Sequence, residues 1–278
     1  MTVLTHRRAD DVRDALRTLA ERAAAAGVTL RLDAEESEKH GALGLPGVTL
    51  DAEIKRDVEL CIVLGGDGTI LRALQYYAGT DVPVFAINYG EIGFLATVEP
   101  TDIEAGVRRA LDRDFELLHL PAVVVELDGG TRTAINDVAI HRKAGERIAE
   151  LSYSLDGEAA GSVRCDGLVV STPAGSTGYN LANGGPVMAW GVAGFVVSFI
   201  APHSLTARAL VVAPGDPLTI HNHSHEPLDV AVDGRPVGEI PAQGTITTRF
   251  VHDQGTLAQL PGSSFYRRLR EKFGRLAS

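Results

Sequence analysis

Residues 65–72 of the sequence, GGDGTILR, combine residue types that could hold a phosphate and move a proton. They follow the apolar run 60–64 and precede a predicted helix, residues 70–77. Glycines let a phosphate approach the backbone, and a helix N-terminus offers unpaired N–H donors and a positive dipole end. Asp67 could accept a proton from a sugar hydroxyl, or it could be the N-cap of a tight strand-to-helix turn. The candidate phosphate loop consists of Gly65, Gly66, Gly68 and Thr69.

Two adjacent polar residues, Asn136 and Asp137, interrupt the strand-like run 135–141. Polar side chains inside an apolar strand are costly unless partners or a ligand satisfy them. The pair is therefore a candidate binding site. A β-bulge or a strand end with solvated side chains is the alternative.

The densest candidate segment is residues 164–186, RCDGLVVSTPAGSTGYNLANGGP. Glycines and small hydroxyl residues follow a predicted buried strand, so the loop can present several N–H and O–H donors to a dinucleotide. Tyr179 could stack on a base. A generic glycine-rich turn is the alternative, but so long a hydroxyl-rich stretch builds a core poorly. A fourth segment, PHSLTAR at 202–208, is either functional or structural.

Composition and charge exclude several classes of protein. The chain has 278 residues, of which 45% are hydrophobic and 22% charged, which excludes intrinsic disorder. Its 30 glycines indicate many tight turns or close backbone approaches. The net charge of −10 argues against a nucleic-acid-coating protein. An anionic ligand must therefore be held locally, by backbone amides, a few arginines or a metal.

Cellular location and metal binding are predicted from a few residues. Cys61 and Cys165 provide neither a disulfide framework nor a zinc ligand set. No signal peptide is recognised, and the apolar stretch 186–201 is shorter than a membrane span, so we expect a soluble cytoplasmic protein. His221, His223 and His225 are expected at a solvated hairpin tip rather than in a metal site.

Element patterns predict an α/β plus all-β fold. Predicted helices at 8–26, 70–77 and 102–111 alternate with strands at 28–32, 60–64 and 82–87, which is typical of a doubly wound α/β domain. After about residue 115, short β-like runs indicate a β-rich sandwich. The predicted domains are 1–115 (α/β), 116–262 (β-rich) and a tail, 263–278. The tail contains a basic amphipathic segment, 264–276, that is expected to pack on the first domain.

In order along the chain, these segments resemble the NAD kinase family, whose members use ATP or polyphosphate. The long segment 166–186 is highly specific, whereas GGDGT is shared with lipid and sphingoid-base kinases. The similarity extends over residues 60–235 and also includes the tail, 265–274. The matching segments are GGDGT at 65–69, NYGEIGFL at 88–95, NDV at 136–138, DGLVVSTPAGSTGYNLANGGP at 166–186 and PHSLTAR at 202–208.

The resemblance implies phosphoryl transfer from ATP, another nucleoside triphosphate or polyphosphate to the 2′-hydroxyl of the adenosine ribose of NAD. Asp67 would accept the proton, and Mg²⁺ would be carried with the phosphates rather than by protein ligands. A homo-oligomer, either a dimer or a tetramer, is implied, with no nucleic acid or membrane partner. The implied NAD-binding residues are Asp67, Gly68, Arg72, Phe94, Asn136, Asp137, Arg147, Arg164, Asp166, Thr177, Gly178, Tyr179, Asn180, Leu181, Ala182 and Arg235.

Within that set, the resemblance assigns individual roles. Asn136 and Asp137 would hold ribose hydroxyls, and residues 177–182 would wrap the dinucleotide, with Tyr179 near the bases. Arg164 and Asp166 would reach the nicotinamide end, in relatives partly across a subunit interface. Departures from the family pattern leave the preference for NAD or NADH open. They are Asp137 for Glu, Arg147 for His or Lys, Ala174 for Thr, Gly178 for Ala and Arg235 for Gln.

Two alternatives from other classes remain at this point. The first is a regulatory protein that binds NAD(P) without phosphoryl transfer. The retained Asp67 argues against it, because a pure binder gains little from a carboxylate near phosphates. The second is a lipid kinase of the wider GGDGT group, and the hydroxyl-rich segment 166–186 argues against that.

Overall fold

The computed structural model describes residues 1–90, 93–127 and 129–274. Within them we number helices and strands in chain order. The helices are α1 (Arg13–Ala25), α2 (Ala34–His40), α3 (Asp67–Tyr76), α4 (Ile103–Asp112), α5 (Tyr179–Ala182) and α6 (Phe265–Phe273). The strands are β1 (Thr2–Thr5), β2 (Leu30–Arg31), β3 (Val48–Thr49), β4 (Cys61–Gly65), β5 (Val84–Asn88), β6 (Glu116–Leu127), β7 (Gly130–Ala134), β8 (Asp137–Arg142), β9 (Ala149–Leu155), β10 (Glu158–Cys165), β11 (Gly167–Ser171), β12 (Phe195–Ile200), β13 (Leu210–Val212), β14 (Leu218–Asn222), β15 (Leu228–Val232), β16 (Arg235–Ile240) and β17 (Thr245–Gln259).

The chain divides into two compact units. Unit 1 contains Met1–His119 and the described residues from Gly255 onward, and unit 2 is Leu120–Gln254. The second boundary lies earlier than the predicted 262/263, because the end of β17 pairs with β5 through Leu257 and Val84. Of the predicted tail, residues 275–278 lie outside the described part of the chain.

Unit 1 is built on a parallel sheet. Its strand order is β3–β2–β1–β4–β5–β17, and every pair in this order is parallel. Strand β4 is buried along its whole length, as its continuous apolar sequence predicts for a sheet covered on both faces. Helix α1 contributes Leu16 and Leu19 to the core of this unit, and β4 contributes Ile62 and Leu64.

One helix of unit 1 was not predicted. No helix or strand is predicted between residues 32 and 60, but α2 covers Ala34–His40 and a short 3-10 turn follows at Gly41–Leu43. Helix α2 begins after Asp33, whose side chain accepts a hydrogen bond from the Glu36 N–H at 2.9 Å. The sequence did not predict this helix because glycines and a proline, which favour loops, follow it directly.

Unit 2 is a β-sandwich. One sheet has the antiparallel order β13–β12–β11–β8–β15–β16, and β10–β9–β14 continue antiparallel to the first residues of β17. Ile140 and Leu168 of the first sheet share one core with Leu151 and Ile220 of the second. The predicted fold class, α/β followed by a β-rich domain, is confirmed.

The histidine-rich segment is not a hairpin tip. Strand β14 pairs with β9 and β17, whereas β15 pairs with β8 and β16. Residues 223–227 therefore connect the two sheets of unit 2. Helices in the described residues are all too short or too polar to cross a membrane.

Candidate active site

The glycine-rich segment 65–69 forms the passage from β4 into α3. Gly66 occupies the N-cap, so Asp67 is the first residue of α3 and the N-cap alternative for Asp67 is wrong. A Cβ atom placed on Gly90 would lie 2.7 Å from the Gly66 Cα, which is closer than real contacts allow. The two glycines therefore let the loops after β4 and β5 touch. Gly68 faces open space.

The Asp67 carboxylate is held by backbone amides of the loop after β5. The Phe94 N–H lies 3.0 Å from Oδ1 and 2.9 Å from Oδ2, and the Leu95 N–H lies 3.1 Å from Oδ1. Burial raises the pKa of Asp67, while these amides, with Arg268 and Lys272, counter the shift. The arrangement fixes the carboxylate and supports its ionised form.

Helix α6 holds the same loop from the other side. The buried Arg268 guanidinium donates to the Phe94 carbonyl at 2.7 Å and to Gln259 Oε1 at 2.8 Å. The Phe94 ring packs against Phe265 and Phe273 at centroid distances of 5.6 and 6.0 Å. Phe94 is thus a packing residue as well as a predicted site residue. Sequence reasoning did not identify Arg268, although the apolar face of the tail pointed to α6.

Arg72 lies in an ion-pair network with α2. Its NH1 is 2.6 Å from Glu35 Oε1, and its NH2 contacts the fully buried Glu36. Glu36 also accepts hydrogen bonds from Lys39 at 3.2 Å and from the Thr5 hydroxyl at 2.5 Å. The predicted dinucleotide contact at Arg72 is therefore already occupied by carboxylates. Sequence spacing gave no signal for this network, because α2 was not predicted.

In unit 2, Asn136 and Asp137 lie at the start of β8. Asp137 is buried, and burial together with the nearby Asp233 carboxylate raises its pKa to about 7. The Asn136 carbonyl accepts a hydrogen bond from the Thr172 N–H at 2.9 Å. Among the described residues, the buried Asn136 Oδ1 has no hydrogen-bond partner. The bulge or solvated-end alternative is wrong for Asp137, which pairs with Ser171 of β11.

The segment after β11 packs tightly on the same backbone. A Cβ atom on Gly175 would lie 2.1 Å from the Asn136 carbonyl oxygen, so only glycine fits there. The Tyr179 ring stacks on His141 at 5.6 Å, and its side chain stays partly exposed. Asn180 is buried, and its Nδ2 donates to the Ser176 and Pro186 carbonyls at 2.9 Å each. Of the remaining predicted residues of this loop, the partly or fully exposed ones are Thr177, Gly178, Leu181 and Ala182.

Three of the other predicted residues of unit 2, Arg147, Arg164 and Asp166, lie away from Asn136 and Asp137. Asp166 precedes Gly167, which pairs with His141 at the end of β8 opposite Asp137. Four residues of extended strand correspond to about 14 Å. Asp166 is held there by the Arg142 Nε at 2.6 Å, which lowers its pKa. The fourth, Arg235, lies nearer: it is exposed at the start of β16 and pairs with Val232, which in turn pairs with Val138 next to Asp137.

Arg147 and Arg164 line a basic cleft in unit 2. It has a volume of about 290 Å³ and also contains three glutamates. Arg164 lies 3.3 Å from one of them, Glu150. The basic or histidine side chains that line it are Arg142, Lys143, Arg147, Arg164, His223 and His225. Two residues of the predicted loop 88–95, Glu91 and Ile92, lie outside the described residues.

Comparison with known proteins connects both units to one family. Residues 12–115 match the ATP-NAD kinase N-terminal domain, and residues 135–257 match the ATP-NAD kinase C-terminal domain. The NAD kinase of Gemmatimonas aurantiaca is 34% identical over 274 residues, which cover 93% of this chain and 90% of that protein. The NAD kinase of Lachnoclostridium phytofermentans is 36% identical over 233 residues, 80% of this chain and 82% of that protein.

Solved structures show the same fold. Yeast NADH kinase complexed with NADH superposes with a TM-score of 0.89 at 22% identity, covering 100% of this chain and 88% of that one. An NAD kinase from Archaeoglobus fulgidus in complex with ATP gives 0.72 at 23% identity, covering 98% of both chains. With both domain matches and relatives above 30% identity over most of their length, the chain belongs to the NAD kinase family.

Proposed function

We propose that this chain is a kinase that transfers a phosphoryl group from ATP, another nucleoside triphosphate or polyphosphate to the 2′-hydroxyl of the adenosine ribose of NAD. The observation that carries the proposal is Asp67, a carboxylate fixed by two amides at the first turn of α3 in the family's glycine-rich segment. The matches to NAD kinase domains support it.

The proposed chemistry needs one proton acceptor and a positioned pair of substrates. The ribose 2′-oxygen attacks the terminal phosphorus, its proton passes to Asp67, and the bond from that phosphorus to the bridging oxygen breaks, releasing ADP when ATP is the donor. Phosphoryl transfer depends mainly on positioning and charge neutralisation, so this chain needs no covalent intermediate. Gly65, Gly66, Gly68 and Thr69 are proposed to approach the phosphates.

A divalent cation fits this scheme as a companion of the phosphates. Among the described residues, no cluster of three or more His, Cys, Asp or Glu side chains could chelate a metal. Phosphate oxygens are the hard ligands that Mg²⁺ prefers. When bound, Mg²⁺ would neutralise phosphate charge, and Asp67 would still receive the proton.

For NAD we retain the predicted contacts, with one change. Asn136 and Asp137 are proposed to hold ribose hydroxyls, and Tyr179 to stack near the bases. Arg164 and Asp166 are proposed to serve the nicotinamide end of NAD, partly across the interface of a dimer or tetramer, which suits the separation of about 14 Å between Asp166 and Asp137. Arg147 remains a proposed NAD contact. Arg72 is proposed to position α3 through Glu35 and Glu36 instead of touching NAD. Gly68, Phe94, residues 177–182 and Arg235 complete the proposed contacts.

Location is proposed from the thiols. Cys61 and Cys165 are both free and buried. Free thiols without disulfides suit a reducing compartment. We therefore propose a cytoplasmic enzyme with no nucleic acid or membrane partner.

The test is direct. Purified protein is incubated with NAD, MgCl₂ and either ATP or polyphosphate, and NADP is measured with an NADP-specific dehydrogenase. We expect NADP to form with wild-type protein. Binding of NAD without NADP formation would favour the regulatory alternative, and phosphorylation of a lipid instead would favour the wider GGDGT group.

A further inference from the structure

Asp233 makes a concentrated set of contacts in unit 2. Its Oδ1 accepts hydrogen bonds from the Asn136 N–H at 2.7 Å and the Asp137 N–H at 2.9 Å, and its Oδ2 accepts one from the Ile135 N–H at 3.0 Å. Three consecutive amides therefore converge on one carboxylate. Hydrogen bonds to a charged acceptor are stronger than neutral ones. We call this set the Asp233 contact.

The backbone around Asp233 is built for this contact. Asp233 and Gly234 form the turn between β15 and β16, and Asp233 has a left-handed φ of 46°. Asp, Asn and Gly tolerate this conformation better than other residues. The Asp233 N–H donates in turn to the Asp137 carbonyl at 2.9 Å. Backbone and side chain of one residue thus bind the same short segment.

The segment that Asp233 holds carries two of the proposed ribose-binding side chains. Because the amides of residues 135–137 are fixed, the Cα–Cβ directions of Asn136 and Asp137 are fixed as well. On the opposite side, the Thr172 hydroxyl donates to the Ile135 carbonyl at 2.6 Å. Segment 135–137 is therefore held from two elements that are far apart in sequence.

Charge connects Asp233 to Asp137 in a second way. The Asp233 charge adds to burial in raising the pKa of Asp137 to about 7. The Asp137 carboxylate in turn contributes, after burial, to raising the pKa of Tyr179. An ionised Asp137 accepts hydrogen bonds from hydroxyls better than a protonated one. NAD affinity is therefore expected to fall as pH drops through about 7.

We propose that Asp233 is a positioning residue for the dinucleotide site, which holds segment 135–137 so that Asn136 and Asp137 meet the ribose hydroxyls. This inference rests on the proposed function, and it adds a residue outside the predicted site. Asp233 itself is not a catalytic residue.

The test compares Asp233→Asn with Asp156→Asn. Asp156 also precedes a glycine in a hairpin turn, at φ 48°, and is exposed, so the control matches conformation and chemistry. For Asp233→Asn we expect the KM for NAD to rise about 10- to 100-fold, because three backbone amides lose a charged hydrogen-bond acceptor. The KM for ATP should change less than about twofold. The pH at which NAD affinity is lost should move down, because Asp137 loses a negative neighbour.

A second variant separates geometry from charge. Asp233→Glu keeps the charge but displaces the carboxylate by one methylene group, so the KM for NAD should rise while the pH midpoint stays near the wild-type value. If Asp233→Asn fails to fold, as judged by circular dichroism, this variant still tests the contact. Equal KM and pH profiles for Asp233→Asn, Asp233→Glu and Asp156→Asn would overturn the inference.

Calorimetric titration with NAD gives a readout besides turnover. Wild-type protein that binds NAD but makes no NADP would contradict the proposed function, while weaker binding by the Asp233 variants would still support the Asp233 contact. If the wild-type protein makes NADP and both Asp233 variants bind NAD as tightly as the wild type does, only the inference is contradicted.

Discussion

Asp67 must be both accessible to a hydroxyl and ionised when it acts. Burial works against ionisation and raises the pKa of this carboxylate, and the Phe94 and Leu95 amides oppose that shift. A base with a raised pKa loses activity at a higher pH than an ordinary Asp would. The same two amides also fix the direction from which a proton can arrive.

We expect Asp67→Asn to lower kcat about 10²- to 10⁴-fold, because the amide keeps the shape of the carboxylate but cannot accept the proton. In wild type, kcat at saturating NAD should fall as pH decreases through the raised pKa of Asp67, since the acid form is inactive. Steady-state NADP formation measured between about pH 5 and 8, where proteins in general are most stable, tests both expectations. Near-wild-type turnover of Asp67→Asn would show that another group takes the proton.

At the residue scale, the sequence predicts chemistry better than contacts. Asp67 and the Asn136–Asp137 pair stood out because polar residues lie next to apolar strands. Arg268 did not, because its contact with Phe94 spans 174 positions and no local pattern encodes it. Asp233 precedes Gly234, and an Asp-Gly pair signals a hairpin turn but not the amides that Asp233 binds.

Gly68 and Gly90 provide a matched pair of tests for the glycine-rich loop. Gly68 lies in α3 with open space around it, so Gly68→Ala should raise the free energy of unfolding by ~0.5–1 kcal/mol. Because Gly68 is a proposed NAD contact, the added methyl group should nevertheless displace NAD and raise its KM on the order of tenfold or more. Gly90→Ala should lower stability by ~1–3 kcal/mol, since its methyl group would meet Gly66.

Urea denaturation and steady-state kinetics separate these effects. Gly68→Ala with higher stability and unchanged kinetics would remove Gly68 from the substrate site. Gly90→Ala with wild-type stability would show that the loops after β4 and β5 separate readily.

Helix α2 is joined to α3 through one arginine, and this connection is the main feature of unit 1 that the sequence did not predict. Arg72 pairs with Glu35, which is half exposed, and with Glu36, which is fully buried. Removing one partner from a buried ion pair leaves an uncompensated charge, whereas exposed pairs contribute little. Glu36 is therefore expected to contribute more to the free energy of unfolding than Glu35.

We expect Glu36→Gln to lower the free energy of unfolding by about 3 kcal/mol. Its control, Glu35→Gln, should cost less than about 1 kcal/mol. Urea denaturation followed by circular dichroism measures the difference. Equal losses in the free energy of unfolding would show that burial of Glu36 does not strengthen its ion pair with Arg72.

At the scale of the whole molecule, the acidic chain has to bind anionic substrates. With a net charge of −10, attraction over long distances is unfavourable, so local groups must provide it. The fold class was predictable because alternating helix and strand signals give way to short β-like runs near residue 115. The return of the chain to unit 1 after Gly255 was placed too late, since the pairing of β17 with β5 leaves no mark in local sequence.

Truncation tests the contribution of the last helix. A chain that ends at Gly262 keeps β17 but loses Arg268 and the aromatic partners of Phe94. We expect kcat to fall at least on the order of tenfold, because the amides that hold Asp67 lose their support. A chain that ends at Gly274 keeps α6 and should retain wild-type kcat. Equal NADP formation by both truncated chains would show that Asp67 functions without the support of α6.

The pairing of β5 with β17 also has a consequence during synthesis. A ribosome completes β1 to β5 early, but the strand that covers β5 emerges only after the whole of unit 2. Until then Val84 and Phe85 of β5 lack the strand partners Leu257 and Ala258, and exposed apolar edges promote aggregation. Residues 120–254 form one continuous compact unit, which we expect to fold as it emerges. The nascent first unit is therefore the part of this polypeptide on which we expect chaperones to act, and its waiting time is set by the rate at which unit 2 is translated.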